Sequence, residues 1–75
     1  MTELEISEVE ILKEPVELYK ILKFEGMVSS GGEAKSVIAE GQVLVNGEVE
    51  TRKRKKIISG DIVKFGEEEI RIKLK

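Results

Sequence analysis

The sequence contains no cysteine and no histidine, and it has one proline and three aromatic residues. Without cysteine or histidine there can be no disulfide framework, no thiolate or imidazole metal site, no cysteine nucleophile and no histidine acid or base. No apolar run approaches the roughly 20 residues of a membrane-spanning helix, and the first residues lack the basic and apolar parts of a signal peptide. These absences exclude most catalysts and favour a soluble, cytoplasmic protein.

The length of 75 residues allows a single small domain. A chain of this size buries only roughly 60% of its unfolded surface, so its stability is expected to be marginal. Hydrophobic residues make up 40% of the chain, which is enough for one core even though 37% of the residues are charged. The sequence therefore predicts one folded domain with a simple architecture.

The charges are segregated along the chain although the net charge is only -2. Residues 1–17 hold six glutamates and one lysine, whereas the other 58 residues hold 12 basic and nine acidic ones. Five basic residues are consecutive: Arg52, Lys53, Arg54, Lys55 and Lys56. An anionic partner would be attracted to this run and repelled by the N-terminal end.

The first part of the chain predicts a strand followed by a helix. Residues 4–11 alternate in two phases, which indicates a strand with a bulge or break near Ser7 and Glu8. Pro15 suits the first position of a helix, because its missing N–H would have no helical partner. The helix would bury Leu18, Ile21 and Leu22 and end at Gly26.

The sequence that begins at Ser30 predicts a second helix. Ser30 and Glu33 match a capping box, in which the Ser30 hydroxyl accepts the N–H of Glu33 and the Glu33 carboxylate reaches back to Ser30. The apolar stripe comprises Ala34, Val37 and Ile38, and Gly41 supplies a left-handed end. Lys35, about 100° round from Ala34, lies off the centre of the buried stripe. The two helices form a hairpin.

The second half of the chain predicts strands. Asn46 and Gly47 suit a type I′ turn, which needs positive φ at both central residues, and place Leu44 opposite Val49. Strands over residues 62–65 and around Ile70, Ile72 and Leu74 follow, with those three side chains inward. Because the last strand's outward row is basic and the first strand's is acidic, we expect these strands to be neighbours. The fold class is α+β, a helical hairpin on a small, mostly antiparallel sheet.

The basic run is the most informative polar feature. Five cations cannot be buried in so small a core, so the run is predicted to lie on the surface in a loop or irregular strand. A solvated loop paired with scattered glutamates is the ordinary interpretation of such a run, but it does not explain why the cations are concentrated. If Lys20, Lys23 and Lys35 project to the same side, eight cations form a footprint for a phosphate backbone.

Other motifs carry weaker signals. Gly31 and Gly32 lack the ending of a P-loop; either they open a helix N-terminus that a phosphate can approach, or they permit a tight start to a capped helix. Tyr19, Phe24 and Phe65 are too few for a base-stacking platform and are interpreted as core or helix-flank residues. The run Glu67, Glu68 and Glu69 is read as a solvated turn, and we expect no metal and no cofactor.

The order of these motifs resembles the ribosomal protein S4-like RNA-binding domain. The resemblance rests on three stretches across about residues 14–65: Leu18, Leu22 and Gly26; Val28-Ser29-Ser30-Gly31-Gly32-Glu33-Ala34-Lys35, with Ile38, Gly41, Val43, Val45, Asn46 and Gly47; and Gly60, Asp61 and Val63. The small stand-alone bacterial members are the most similar, with residues 1–13 as a strand extension and residues 66–75 as a last strand. Members often have arginine where this chain has Gly31.

The resemblance implies a helical hairpin on a bent sheet of about five strands, the S4-like αL motif, with RNA on the face of the second helix and the loop after the Asn-Gly hairpin. By position, Ser30, Lys35 and the basic run fall on that face. Gly31 and Gly32 at the helix start, and Lys20 and Lys23 if they project to the same side, are further candidate RNA contacts. No nucleophile–base pair is recognisable, so we expect no enzyme.

The leading hypothesis is a monomer that binds structured RNA, ribosomal or another stem-loop RNA, through phosphates and shape. The alternative is a protein-interaction module that docks on an acidic partner such as a ribosomal protein or assembly factor.

Overall fold

The protein is represented by a computed structural model that describes residues 6–75. Leu4 and the other residues of the predicted first strand before Ile6 lie outside the described residues. The elements are β1 (Ile6–Ile11), β2 (Val16–Glu17), α1 (Leu18–Phe24), α2 (Gly31–Ala39), β3 (Val43–Val45), β4 (Glu48–Val49), β5 (Lys56–Ile57), β6 (Ile62–Phe65) and β7 (Glu68–Leu74). Two helices pack on a mixed, mostly antiparallel sheet, which confirms the predicted α+β class.

The main sheet has five strands in the order β1-β7-β6-β3-β4, and β2 and β5 form a separate antiparallel pair. Only the β1–β7 pair of the main sheet is parallel. Glu8 lies opposite Arg71 and Glu10 lies opposite Lys73 in this pair. The prediction that an acidic first strand and a basic last strand are neighbours is therefore confirmed.

The predicted break in the first strand is wrong. β1 pairs with β7 without interruption, from Ile6 opposite Glu69 to Ile11 opposite Leu74. Ile6 is exposed whereas Val9 and Ile11 are half-buried on the other face. An edge strand tolerates an apolar residue on its exposed face, and this residue produced the apparent change of phase.

The first helix begins at Leu18 and not at Pro15, because the preceding residues belong to β2. Val16 pairs with Ile57, and Glu17 pairs with Lys56. The rest of the prediction is confirmed: Leu18, Ile21 and Leu22 are buried, and Gly26 follows the helix with a φ of +70°.

The second helix starts as predicted, except for one contact. The Ser30 hydroxyl accepts the backbone N–H of Glu33 at 3.1 Å. The Glu33 carboxylate accepts from Ser29 and not from Ser30, because the Ser29 N–H and hydroxyl lie 2.8 and 2.6 Å from Oε1. Gly41 follows the helix with a φ of +77°, as a left-handed end requires.

The Asn-Gly hairpin is confirmed. Asn46 and Gly47 have φ values of +53° and +85°, and Leu44 pairs with Val49. Ile70 and Ile72 of β7 are buried, but Leu74 is exposed. Leu74 lies opposite Ile11 at the last pair of the β1–β7 ladder, where the strand reaches the end of the sheet.

The core lies between the helical hairpin and one face of the main sheet. Its largest fully buried side chains are Leu18, Leu22, Ile38, Ile57, Ile72, Val43 and Val63. Ile57 comes directly after the basic run, so this core residue anchors one end of the run to the domain. Neither helix in residues 6–75 is long and apolar enough to cross a membrane.

Candidate nucleic-acid interface

The basic segment, residues 52–56, leaves the β3–β4 hairpin and ends where Lys56 enters β5. Arg52, Lys53, Arg54 and Lys56 are exposed, and Lys55 is half-buried. A shallow depression is lined entirely by Arg52, Arg54, Lys55 and Lys56. Four of the five cations of the segment therefore share one patch of surface.

The backbone of the basic segment is bonded to the start of α1. The N–H groups of Leu18 and Tyr19 donate to the carbonyl oxygens of Lys55 and Lys53, at 2.9 and 3.1 Å. The first N–H groups of a helix have no partner within the helix, so a neighbouring carbonyl stabilises them. These hydrogen bonds hold the segment against α1. The β2–β5 pair further restrains the end of the segment, because Lys56 pairs with Glu17.

Arg52 differs from its neighbours because it is paired with Glu50. Arg52 Nε lies 2.9 Å from Glu50 Oε2, Arg52 Nη2 lies 3.2 Å from Oε1, and the Arg52 N–H donates to Oε2 at 3.0 Å. The side-chain hydrogen bond from Arg52, followed by the backbone one, lowers the pKa of Glu50 to about 2. The bonds between Arg52 and Glu50 thus stabilise the start of the loop, and the Glu50 carboxylate offsets the charge of Arg52.

Tyr19 brings together lysines from both helices. The Lys35 Nζ lies 4.8 Å from the centroid of the Tyr19 ring, and the Lys20 Nζ lies 6.0 Å from it. The negative face of an aromatic ring attracts ammonium groups at such distances. Tyr19 also donates its N–H to the basic segment, so this one residue contacts Lys35 of α2 through its ring and Lys53 through its backbone.

A second depression extends the patch along α1. Its lining includes Lys13, Lys20 and Lys56, and Lys56 also lines the depression of the basic segment. The Lys20 Nζ lies 3.5 Å from the Glu17 carboxylate at its edge. We refer to the following residues as the cationic surface: Lys13, Lys20, Lys35, Lys53, Arg54, Lys55 and Lys56.

Most of this surface is not neutralised by ion pairs. Within residues 6–75, Lys13, Lys35 and residues 53–56 have no carboxylate oxygen within 4 Å of their charged nitrogens. Sequence reasoning missed Lys13, because it lies in the acidic first part of the chain. It also missed the role of Tyr19, whose contact with Lys35 exists only once the two helices have packed.

The other predicted residues, Ser30, Gly31, Gly32 and Lys23, lie at or beside the start of α2 and line neither depression. A side chain added at Gly31 would lie 3.9 Å from the Lys23 Cδ, so Lys23 passes beside this helix end. The Glu33 carboxylate also lies here, and the hydrogen bonds from Ser29, the hydroxyl first, lower its pKa. The helix end thus carries its own anion, which offsets its partial positive charge.

The acidic turn shows no arrangement for metal binding. In the part of the chain that the structure describes, no three carboxylates come together to hold a cation, and this includes Glu67, Glu68 and Glu69. Glu67 and Glu68 are exposed, and Glu69 is half-buried in β7.

Comparison with known families gives a match over most of the chain. The profile described as the S4 domain matches residues 9–73. This chain belongs to the S4 domain family. The resemblance inferred from the motifs is therefore confirmed, and the match extends beyond residues 14–65 into β1 and β7.

Two curated relatives of this S4 domain each match the same share of the chain. This chain is 53% identical over 57 residues to "Putative RNA-binding protein YbcJ" of Escherichia coli strain K12. The aligned region covers 76% of this chain and 81% of YbcJ. This chain is 38% identical over 57 residues to "Probable ribosome maturation protein RlbA" of Bacillus subtilis strain 168. This alignment covers 76% of this chain and 80% of RlbA.

A solved structure shares the fold. The solution structure of Escherichia coli YbcJ superposes on this S4 domain with a TM-score of 0.70 at 46% identity, covering 92% of this chain and 89% of YbcJ. That structure is described as revealing an αL motif involved in RNA binding. The arrangement of two helices on the sheet is thus common to both proteins.

Proposed function

We propose that this S4 domain binds structured RNA, without catalysis, by placing phosphates along the cationic surface. The observation that carries the proposal is the convergence of lysines and arginines from three separate parts of the chain onto adjoining depressions around α1. Membership of the S4 domain family and the RNA-binding description of YbcJ support RNA as the anion.

Phosphate and shape recognition fits this surface better than base reading. Side chains cannot reach base edges in the narrow major groove of A-form RNA, so Lys and Arg would sense the spacing of the phosphates. Platforms for unpaired bases usually offer two or three exposed rings. Here Tyr19 is half-buried beneath Lys35 and Phe65 is also half-buried, which leaves Phe24 as the one exposed ring in residues 6–75. Specificity for sequence should therefore be modest.

The basic segment is the main contact in this proposal, and the α2 end a lesser one. Lys53, Arg54, Lys55 and Lys56 have no neighbouring carboxylate within 4 Å in residues 6–75, whereas the α2 end carries Glu33. Ser30, Gly31, Gly32 and Lys23 would then flank the RNA and not hold its centre. The RlbA name supports ribosomal RNA as one target. The protein would then act in the cytoplasm beside the ribosome, and we expect it to do so as a monomer.

The experiment compares charge reversals on and off the cationic surface. The double variant Arg54→Glu/Lys56→Glu and the control Lys64→Glu/Lys75→Glu change the net charge equally, and each is checked for folding by thermal unfolding. A labelled RNA hairpin is titrated with each protein over a series of salt concentrations. RNA recovered at low salt from purified wild-type protein, and from a Lys35→Glu/Arg54→Glu/Lys56→Glu variant, is sequenced to identify the target.

Wild-type protein should give a log–log salt slope near -3.5 if five phosphates are neutralised on a single strand, and a steeper one on a duplex. The double variant should lose RNA binding while the control retains it. A flat salt response, or equal binding by the double variant and the control, would contradict the proposal. Unchanged RNA retention by the double variant would instead favour the second candidate, a module that docks on an acidic protein through the same cations.

A further inference from the structure

An apolar pocket lies on the side of α1 that faces the end of β1, and of the cationic surface only Lys13 lines it. The pocket has a volume of about 290 Å³. Its floor is formed by side chains at the margin of the core, among them Val9, Ile11 and Ile21. Leu12 and Phe24 stand at its rim with 82% and 68% of their surfaces exposed.

Leu12 and Phe24 are the two most exposed large apolar side chains in residues 6–75. Single exposed apolar residues are ordinary on a protein surface. Two of them that meet over one apolar depression are different, because they form a site where a partner side chain would lose its contact with water. Burial of an anchor side chain in such a pocket is how many protein interfaces gain most of their affinity.

The strand beside the pocket is also open. β1 is the edge of the main sheet and pairs only with β7 on one side, so in the described part of the chain its other side has no strand partner. Free N–H and C=O groups along such an edge can pair with an extended segment of another chain. A segment added along β1 would pass the mouth of the pocket.

The charges around the pocket select the partner. Glu10 and Glu25 line it together with Lys13, and Glu8 is exposed on the same strand. Arg71 and Lys73 are the cross-strand partners of Glu8 and Glu10, but no ion pair within 4 Å joins these rows in residues 6–75. The carboxylates therefore stay available for a partner, and they repel phosphates.

We propose that this pocket and the open edge of β1 form a docking site for an extended protein segment with one large apolar side chain flanked by lysine or arginine. The apolar side chain enters between Leu12 and Phe24, and the cations next to it in the segment point to the other face of the strand, where they meet Glu8 and Glu10. A second copy of this chain is disfavoured, because two β1 strands side by side would bring their glutamates together.

This inference does not depend on RNA binding, and its test uses the full chain with two labelled peptides. One peptide has the core Val-Lys-Phe-Lys-Val and the other has the core Val-Glu-Phe-Glu-Val, so that the charged side chains lie on the face opposite the phenylalanine. Binding is followed by fluorescence anisotropy and by amide chemical shifts. The variants are Leu12→Ser and Phe24→Ser, and the control is Val49→Ser, since Val49 is 60% exposed on β4 and does not line the pocket.

The basic peptide should shift the amides of β1, Leu12 and Phe24, and each pocket variant should weaken its binding about tenfold, as loss of an anchor contact does. The control should bind as wild type, and the acidic peptide should bind at least about tenfold more weakly. Thermal unfolding shows whether each variant is folded. Leu12 lies outside the core, so Leu12→Ser should stay folded and can test the pocket even if Phe24→Ser is unstable.

Four outcomes would overturn the inference. They are equal binding of both peptides, unchanged binding by both pocket variants, shifts confined to residues 52–56, and shifts of Leu12 and Phe24 that grow with protein concentration alone. The last would indicate self-association. If a labelled RNA hairpin without peptide shifts Leu12 and Phe24 and competes with the basic peptide, the pocket belongs to the RNA site instead.

Discussion

The side-chain amide of Asn46 donates a hydrogen bond of 3.0 Å to the carboxylate of Asp61, 15 residues further along the chain. The same amide accepts the N–H of Ile62 at 2.9 Å, and Asp61 accepts the N–H of Ile58 at 3.0 Å. The Asn-Gly turn is thus bonded to the turn before β6. Because the basic segment lies between these two turns, the contact helps to hold both of its ends.

Replacing Asp61 by alanine should destabilise the domain by about 1–2 kcal/mol, since two donors lose their acceptor. Asn46→Gly keeps the positive φ of the turn but loses the side-chain bonds, and it should cost a similar amount. In the double variant the two losses should be less than additive, because they share one hydrogen bond. Urea unfolding measures all three; Glu67→Ala in an exposed turn is the control, and fully additive losses would contradict the coupling.

The Glu50–Arg52 contact should make stability depend on pH. The pKa of Glu50 is about 2 in the folded protein, below its ordinary value near 4.5, chiefly because of the Arg52 side-chain hydrogen bond. Its contribution is therefore fully present above pH 4.5 and is lost as the pH falls towards 2. The urea midpoint should fall between pH 5 and 2.5, and Glu50→Gln should flatten part of that fall. An identical pH profile for the variant would refute the assignment.

Tyr19 should act on RNA binding by positioning Lys35. Tyr19→Leu should weaken binding of the RNA hairpin about twofold to fivefold, the size expected for an exposed cation–ring contact, whereas Tyr19→Phe should bind as wild type. In NMR spectra the methylene protons next to the Lys35 Nζ should be shifted by the ring in wild type and Tyr19→Phe but not in Tyr19→Leu. Weaker binding by both variants would point to the hydroxyl.

The start of α2 should respond differently to its two serines. Ser30→Ala removes the N-cap acceptor and should destabilise the domain by about 1 kcal/mol. Ser29→Ala should cost less, because the backbone N–H of residue 29 still donates to Glu33. Ser36→Ala, at an exposed position within the same helix, is the control and should be neutral or slightly stabilising. Thermal unfolding measures each; equal effects at positions 30 and 36 would be inconsistent with capping.

The elements that rest on local chemistry could be predicted from the sequence. The turn at Asn46 and Gly47 is one such element, because its backbone conformation needs residues that tolerate positive φ. The Ser30 cap and the buried faces of both helices are others, since each depends on residues no more than four positions apart. The donor to the Glu33 carboxylate was predicted to be Ser30 and is Ser29. Both serines are close enough in sequence to donate, and the capping-box pattern does not show which one does.

Contacts between distant segments could be predicted only where the two segments have complementary side chains. Acidic and basic rows predicted that β1 and β7 are neighbours, and their register bears this out. Nothing in residues 14–17 revealed that Val16 and Glu17 would pair with β5 and delay the start of α1. The short two-residue strands have no periodicity of their own, so their pairing follows from how the rest of the chain folds.

By itself the sequence determined the α+β class and a run of cations on the surface, because periodicity, turn residues and composition act over short distances. Its motifs also carried the resemblance to the S4 domain family. Only the tertiary structure decided that Lys35 and Lys20 meet at Tyr19, that Lys13 joins them beside Lys56, and that Leu12 and Phe24 form a pocket against the acidic edge. These groups are far apart in the chain, and packing of the helices on the sheet is what brings them together.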